Sequence, residues 1–119
     1  MEIAISDLLD KMSIIKLKIE RIGETHLQKE YDIYANELEI MNPKFKIKLH
    51  NSFLELYEIN AKIWDLEHEI RLGLNCELSL EEVGRRTLLI RELNKKRVRI
   101  KDIIVEYTNS GFKDVKMNS

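Results

Sequence analysis

The chain has 119 residues, of which 44% are hydrophobic and 34% charged. That is enough for one domain with one core, and no stretch approaches the ~20 apolar residues that span a bilayer. The 20 lysines and arginines against 21 acids leave a net charge of −1, which withholds the basic field that nonspecific nucleic-acid binding needs.

Glycine and proline are scarce, and no run of strict apolar–polar alternation is bounded by turn residues. Both features favour long helices over strands. The opening Met1-Glu2-Ile3-Ala4 reaches Asp7 and Asp10 without a basic region, so a secretory signal is not expected and the cytoplasm is the expected location. Cys76 is the single cysteine, which excludes an intramolecular disulfide and a thiolate zinc cluster within the chain.

Ser6 is a suitable cap for a first helix, with Asp7 and Asp10 in its opening turn where the helix dipole favours acids. Leu8, Met12, Ile15, Ile19 and Ile22 form its apolar stripe, and Gly23 ends it. Thr25 caps a second helix with Leu27, Tyr31, Tyr34, Leu38 and Met41 on its inner face, and Asn42-Pro43 stops it. A third helix is expected from about Lys44 to Leu72, with Leu56, Ile59, Ile63, Leu66 and Ile70 as its core and Gly73 closing it. Ser79-Leu80-Glu81-Glu82 reads as a capping box opening a fourth helix that runs to about Tyr107, carrying Leu89, Leu93, Ile100, Ile103 and Ile104. Asn109-Ser110-Gly111 then ends it and leaves a short irregular tail. The expected fold is a single all-α domain over residues 1–119, a bundle of about four helices. Helices three and four form a long antiparallel hairpin, covered by the two shorter helices.

Charge is segregated along the chain. Residues 55–69 carry five acids against Lys62, whereas residues 85–101 carry eight bases against Glu92. The simplest expectation is that these two helices pair with each other.

Beside the third helix's core stripe, Tyr57, Asn60, Trp64, Glu67 and Arg71 follow at three- and four-residue spacing and share a face. Asn94, Arg97 and Lys101 do the same on the fourth helix, and Lys11 and Lys18 form a similar edge on the first. Two readings fit. In one, Lys11, Lys18, Arg71, Arg97 and Lys101 face an anionic ligand, with Trp64 as a wall, Asn60 and Asn94 as orienting groups, and Glu67 as an acid, base or positioning group. In the other, these residues form a buried network of ion pairs and amides that fixes helix register.

Other chemistries have less behind them. His26, His50 and His68 are scattered, and Asp65 with His68 is at best half of one dimetal motif. Gly-rich phosphate loops and a Gly-x-Ser-x-Gly elbow are absent from the sequence. No metal or cofactor is expected.

Three blocks carry a resemblance. The first is Ile5-Ser6-Asp7-Leu8-Leu9-Asp10-Lys11-Met12-Ser13-Ile14-Ile15-Lys16-Leu17-Lys18-Ile19-Glu20. The second is Asn60-Ala61-Lys62-Ile63-Trp64-Asp65-Leu66-Glu67-His68-Glu69-Ile70-Arg71, and the third is Asn94-Lys95-Lys96-Arg97-Val98-Arg99-Ile100-Lys101. Together they resemble a short, uncharacterised bacterial and phage family of unknown function, with Lys95 standing where that family has an aspartate. The resemblance implies a helical fold and points to the same polar residues, but supplies no reaction. The small helical chorismate mutases are similar in architecture only, because Lys11 and Lys18 do not reproduce their arginine-centred first helix. The expected function is an oligomeric protein-interaction or regulatory module, with a small anion-binding protein or enzyme as the alternative. The expected partners are a second copy, another protein or an anionic metabolite.

Overall fold

The computed structural model describes residues 2–41, 46–75, 78–108 and 115–116. Four helices account for most of them: α1 (Ile5–Ile22), α2 (Gln28–Met41), α3 (Lys46–Asn75) and α4 (Leu80–Thr108). Two two-residue strands, β1 (Glu2–Ile3) and β2 (Val115–Lys116), pair antiparallel with Glu2 opposite Lys116. This small ribbon had no signal in the sequence, because two residues are too few to show an alternation.

α1 begins one residue before the expected cap. Ala4, in extended backbone, precedes the helix, and Leu8 N–H donates to its carbonyl at 2.9 Å. Starting at Ile5 sinks that side chain into the core and carries Ser6 inside with it. At the other end Gly23 adopts φ 68°, the left-handed conformation that terminates a helix cheaply only at glycine.

Thr25–Leu27 form a 3₁₀ turn, and α2 follows it, so Thr25 lies in that turn and does not cap α2. Tyr31, Tyr34 and Leu38 pack against the core as their spacing requires, with the Tyr31 ring meeting Phe53 edge-on at 6.4 Å. Lys44 and Asn42-Pro43 lie outside the described residues.

α3 continues through Gly73 to Asn75. An interior glycine costs a helix only about 1 kcal/mol, which packing against a long neighbour can override. Ser79 opens α4: its Oγ accepts the Glu82 N–H at 3.1 Å. The carboxylate of Glu82 instead accepts from Arg85 at 2.9 Å and Arg86 at 2.5 Å, so the reciprocal half of the capping box gives way to charge. Cys76 and Asn109-Ser110-Gly111 lie outside the described residues.

α3 and α4 form the expected long antiparallel hairpin. α1 packs on both of its helices, while α2 leans mainly on α1. The core gathers Ile5, Leu8, Leu9 and Met12 of α1 with Leu49, Phe53 and Leu56 of α3 and Ile104 of α4. It therefore sits toward the N-terminal half of α3, earlier than the stripe centred on Ile63 would place it. Leu89 and Ile103, expected inside, are exposed. Among the described residues no helix is long and apolar enough to cross a membrane.

Candidate functional site

The polar centre of the molecule is Asp10, with only 7% of its side chain exposed. α1 carries it inward on the same face as Ser6 and Ser13. Arg97 of α4 donates from Nε to Oδ1 at 2.8 Å, and a second guanidinium nitrogen donates to Oδ2. Asn60 of α3 donates from Nδ2 to the same Oδ1 at 3.0 Å and to Ser13 Oγ at 2.8 Å. Ser13 in turn donates to the Asp10 carbonyl at 2.6 Å. The Arg97 guanidinium is held cationic above its ordinary range, first by this bond to Asp10 and further by the charge of Glu67. Three helices thus meet on one carboxylate whose two oxygens both accept hydrogen bonds.

One turn away on the same seam, Lys101 Nζ lies 2.7 Å from Asp7 Oδ1. Lys11 turns the other way. Its Nζ donates to Tyr34 Oη at 3.0 Å, Tyr34 donates to Glu30 at 2.6 Å, and Lys11 lies 3.4 Å from Glu30. The Tyr34 hydroxyl and then the Lys11 ammonium hold the Glu30 carboxyl below the usual carboxylate range. Lys18 is half-buried, and its charge also acts on Glu30.

The predicted constellation therefore divides. Asn60, Arg97 and Lys101 stand together on the α1–α3–α4 seam, with Glu67 close enough to act on Arg97. Lys11 and Lys18 face α2 instead. Trp64 and Asn94 are half-buried and make no hydrogen bond with the described residues; Asn94 lines a shallow depression on α4 with Thr87, Ile90 and Val98. Arg71 is exposed and makes no ion pair with the described residues. Asp10 is one of the acids, with Glu67 and Glu20, that the network reading needs as partners for the cations; the residues that sequence reasoning missed are Ser13, Asp7, Glu30 and Tyr34. Asp7, Asp10 and Ser13 recur every three residues, a signal for one face of α1 that was there to be used.

The expected pairing of α3 with α4 is mostly absent. Among the described residues one ion pair crosses between them, Arg86 Nε to Glu69 at 2.9 Å. Arg97 and Lys101 turn to α1, Arg85 and Lys95 pair within α4, and Asp65 pairs with Arg21 of α1. The reason is geometric: α1 brings Asp10 to the buried side of α4, where its pair with Arg97 is better shielded from water than on the outer surface.

A hollow of about 340 Å³ opens between α1, α2 and α3, floored by Leu9, Met12, Tyr31, Leu49 and Phe53. Lys16 stands at its wall, with Nζ 5.0 Å from the Tyr57 ring centre and 5.7 Å from that of Phe53. No three His, Cys, Asp or Glu side chains converge as a metal site among the described residues. No protein-family model matches the chain, and no curated protein or solved structure matches it either.

Proposed function

We propose that the chain is an oligomeric protein-interaction module whose polar seam is a structural clamp. The observation that supports this reading is that the cations nearest the predicted pocket already hold acids of their own chain: Arg97 with Asp10, Lys101 with Asp7, Lys11 with Glu30. An anion entering the seam would have to displace a buried carboxylate that accepts three hydrogen bonds, which a site evolved for anions avoids. Sedimentation of the purified chain over a wide concentration range tests the oligomeric part, since a monomer at every concentration contradicts it. Thermal shift against anionic metabolites, nucleotides and nucleotide sugars tests the clamp. A stabilisation of several degrees that disappears in Arg97→Ala would overturn it.

A second reading has one observation behind it, the hollow between α1, α2 and α3. Its volume falls in the range of small-molecule pockets. Its apolar floor suits a small amphiphile with an anionic head, which Lys16 would meet, since Lys46, the other lysine of its lining, already pairs with Glu39. Stabilisation by a medium-chain carboxylate, lost in Lys16→Ala, would favour this reading over the first.

A further inference from the structure

The hairpin has two broad faces, and α1 covers one of them. On the other, α3 exposes Leu54, Glu58, Lys62, Asp65, Glu69 and Leu72, whose three- and four-residue spacing makes one continuous stripe. α4 exposes a matching stripe at the same spacing: Arg85, Leu88, Glu92, Lys96, Arg99 and Ile103. Between the stripes runs a groove of about 350 Å³ floored by Leu66, Leu89 and Leu93 and edged by Lys62 and Asp65. Leu54, Leu72, Leu88 and Ile103 are 45%, 53%, 61% and 54% exposed, respectively. Large aliphatic side chains at the ends and middle of a grooved helical face mark a surface that another helical face can fill.

Its charge pattern selects the occupant. The α3 stripe holds three acids and one base, and the α4 stripe holds three bases and one acid. Within the chain Glu58 lies 3.3 Å from Lys62, Glu69 lies 2.9 Å from Arg86 and Asp65 reaches Arg21 at the end of α1. Lys96 and Arg99, by contrast, make no ion pair with the described residues and are left to the acids of a second copy. We propose that two copies of the chain pack through this face, with the twofold axis along the length of the hairpin and α3 of each copy over α4 of the other. This inference rests on the oligomeric reading above. A face-to-face dimer has its axis in the plane of contact. An axis across the helices would lay α3 on α3 and α4 on α4, setting acids on acids and bases on bases. An axis along the helices exchanges left for right and sets the acidic stripe over the basic one twice.

The same axis preserves height along the hairpin, and height is fixed within the chain. Ser52 and Tyr107 share a hydrogen bond of 3.1 Å, and Asn60 and Arg97 meet on one carboxylate. By that register Leu54 stands level with Ile103 and Glu58 with Arg99 on the antiparallel partner. In the dimer Leu54 therefore meets the partner's Ile103 and Glu58 meets the partner's Arg99, each contact occurring twice. Every helix of the resulting four-helix bundle has antiparallel neighbours. The stripes cover about 27 Å of helix and two helix widths, a footprint on the order of 500 Å². That is small for a protein interface, so the dimer is expected to dissociate on dilution.

Sedimentation equilibrium of the full chain tests the proposal, with circular dichroism to verify that each variant folds. The variants are Leu88→Asp, Glu58→Lys, Arg99→Glu and the double reversal Glu58→Lys/Arg99→Glu. The wild type is expected to pass from monomer to dimer with concentration. Leu88→Asp and each single reversal should raise the dissociation constant about tenfold or more, because every lost contact counts twice. The double reversal restores opposite charges only if α3 lies over α4, and there the constant should return close to that of the wild type. A chain that stays monomeric overturns this proposal and the oligomeric reading together. An oligomer indifferent to Leu88→Asp and to both reversals overturns the face and leaves that reading standing. An oligomer that Leu88→Asp weakens but the double reversal does not recover overturns the axis.

Discussion

Arg97 grips both carboxylate oxygens of Asp10 although 87 residues separate them, so the first helix and the last are locked together at a buried point. Asn60 completes the lock from α3. Removing Arg97 leaves Asp10 buried with one side-chain donor in place of three. Arg97→Ala is therefore expected to cost about 3–5 kcal/mol. A thermal melt should show a fall on the order of ten degrees or more. Replacing the pair together, Asp10→Leu with Arg97→Met, should recover most of that loss, because two apolar side chains need no partner. If the double variant melts no higher than Arg97→Ala, the pair contributes more than its own burial cost.

Lys101 provides the contrast on the same face. Its partner Asp7 is more than half exposed, so water already screens the pair. Lys101→Ala should cost under about 1 kcal/mol. Comparable losses for Arg97→Ala and Lys101→Ala would mean that the seam behaves as one cooperative network.

The Lys11–Tyr34–Glu30 chain makes a prediction about acid. The Glu30 carboxyl is held below its ordinary range in the folded state, by Tyr34 first and Lys11 second. A depressed carboxyl stabilises the fold above its unfolded value, and that contribution is lost as pH falls through the folded value. Wild type should exceed Glu30→Gln in melting temperature at pH 7, and the gap should close as the pH drops below about 4. A gap that persists unchanged into strong acid would show that packing, not charge, is responsible.

At the start of α4, Ser79 satisfies the Glu82 amide. Ser79→Ala should cost about 1 kcal/mol, while Ser79→Asp should retain most of the stability. Equal losses in the two would place the effect outside the cap.

Helical periodicity made the four elements, the hairpin and the stop at Gly23 legible, since each rests on local spacing. The start of α1 was not, because Ser6 satisfies a cap pattern that burial of Ile5 overrides. Asn60, Arg97 and Lys101 were legible as seam residues from their position at the edge of apolar stripes. The acid Asp10 was legible as a candidate partner, but Asp7 was hidden by a competing local explanation, the dipole of the first helical turn. Lys11 was misplaced by a single residue: one step along a helix turns a side chain by about 100°, enough to carry it from the α4 side of α1 to the α2 side. The segregated charges of α3 and α4 were visible at once, but which surfaces they served depended on where α1 lay.

α2 leans mainly on α1 over a hollow and meets α3 through side chains such as Tyr31 against Phe53. Its backbone amides can therefore meet solvent without the rest of the molecule coming apart. In a hydrogen-exchange experiment α2 should lose its protection first and at low denaturant. The segment around Leu56 and Asn60, enclosed by α1 and α4, should exchange only through global unfolding. The domain would then melt in two layers, a detachable outer helix over a three-helix foundation pinned at Asp10.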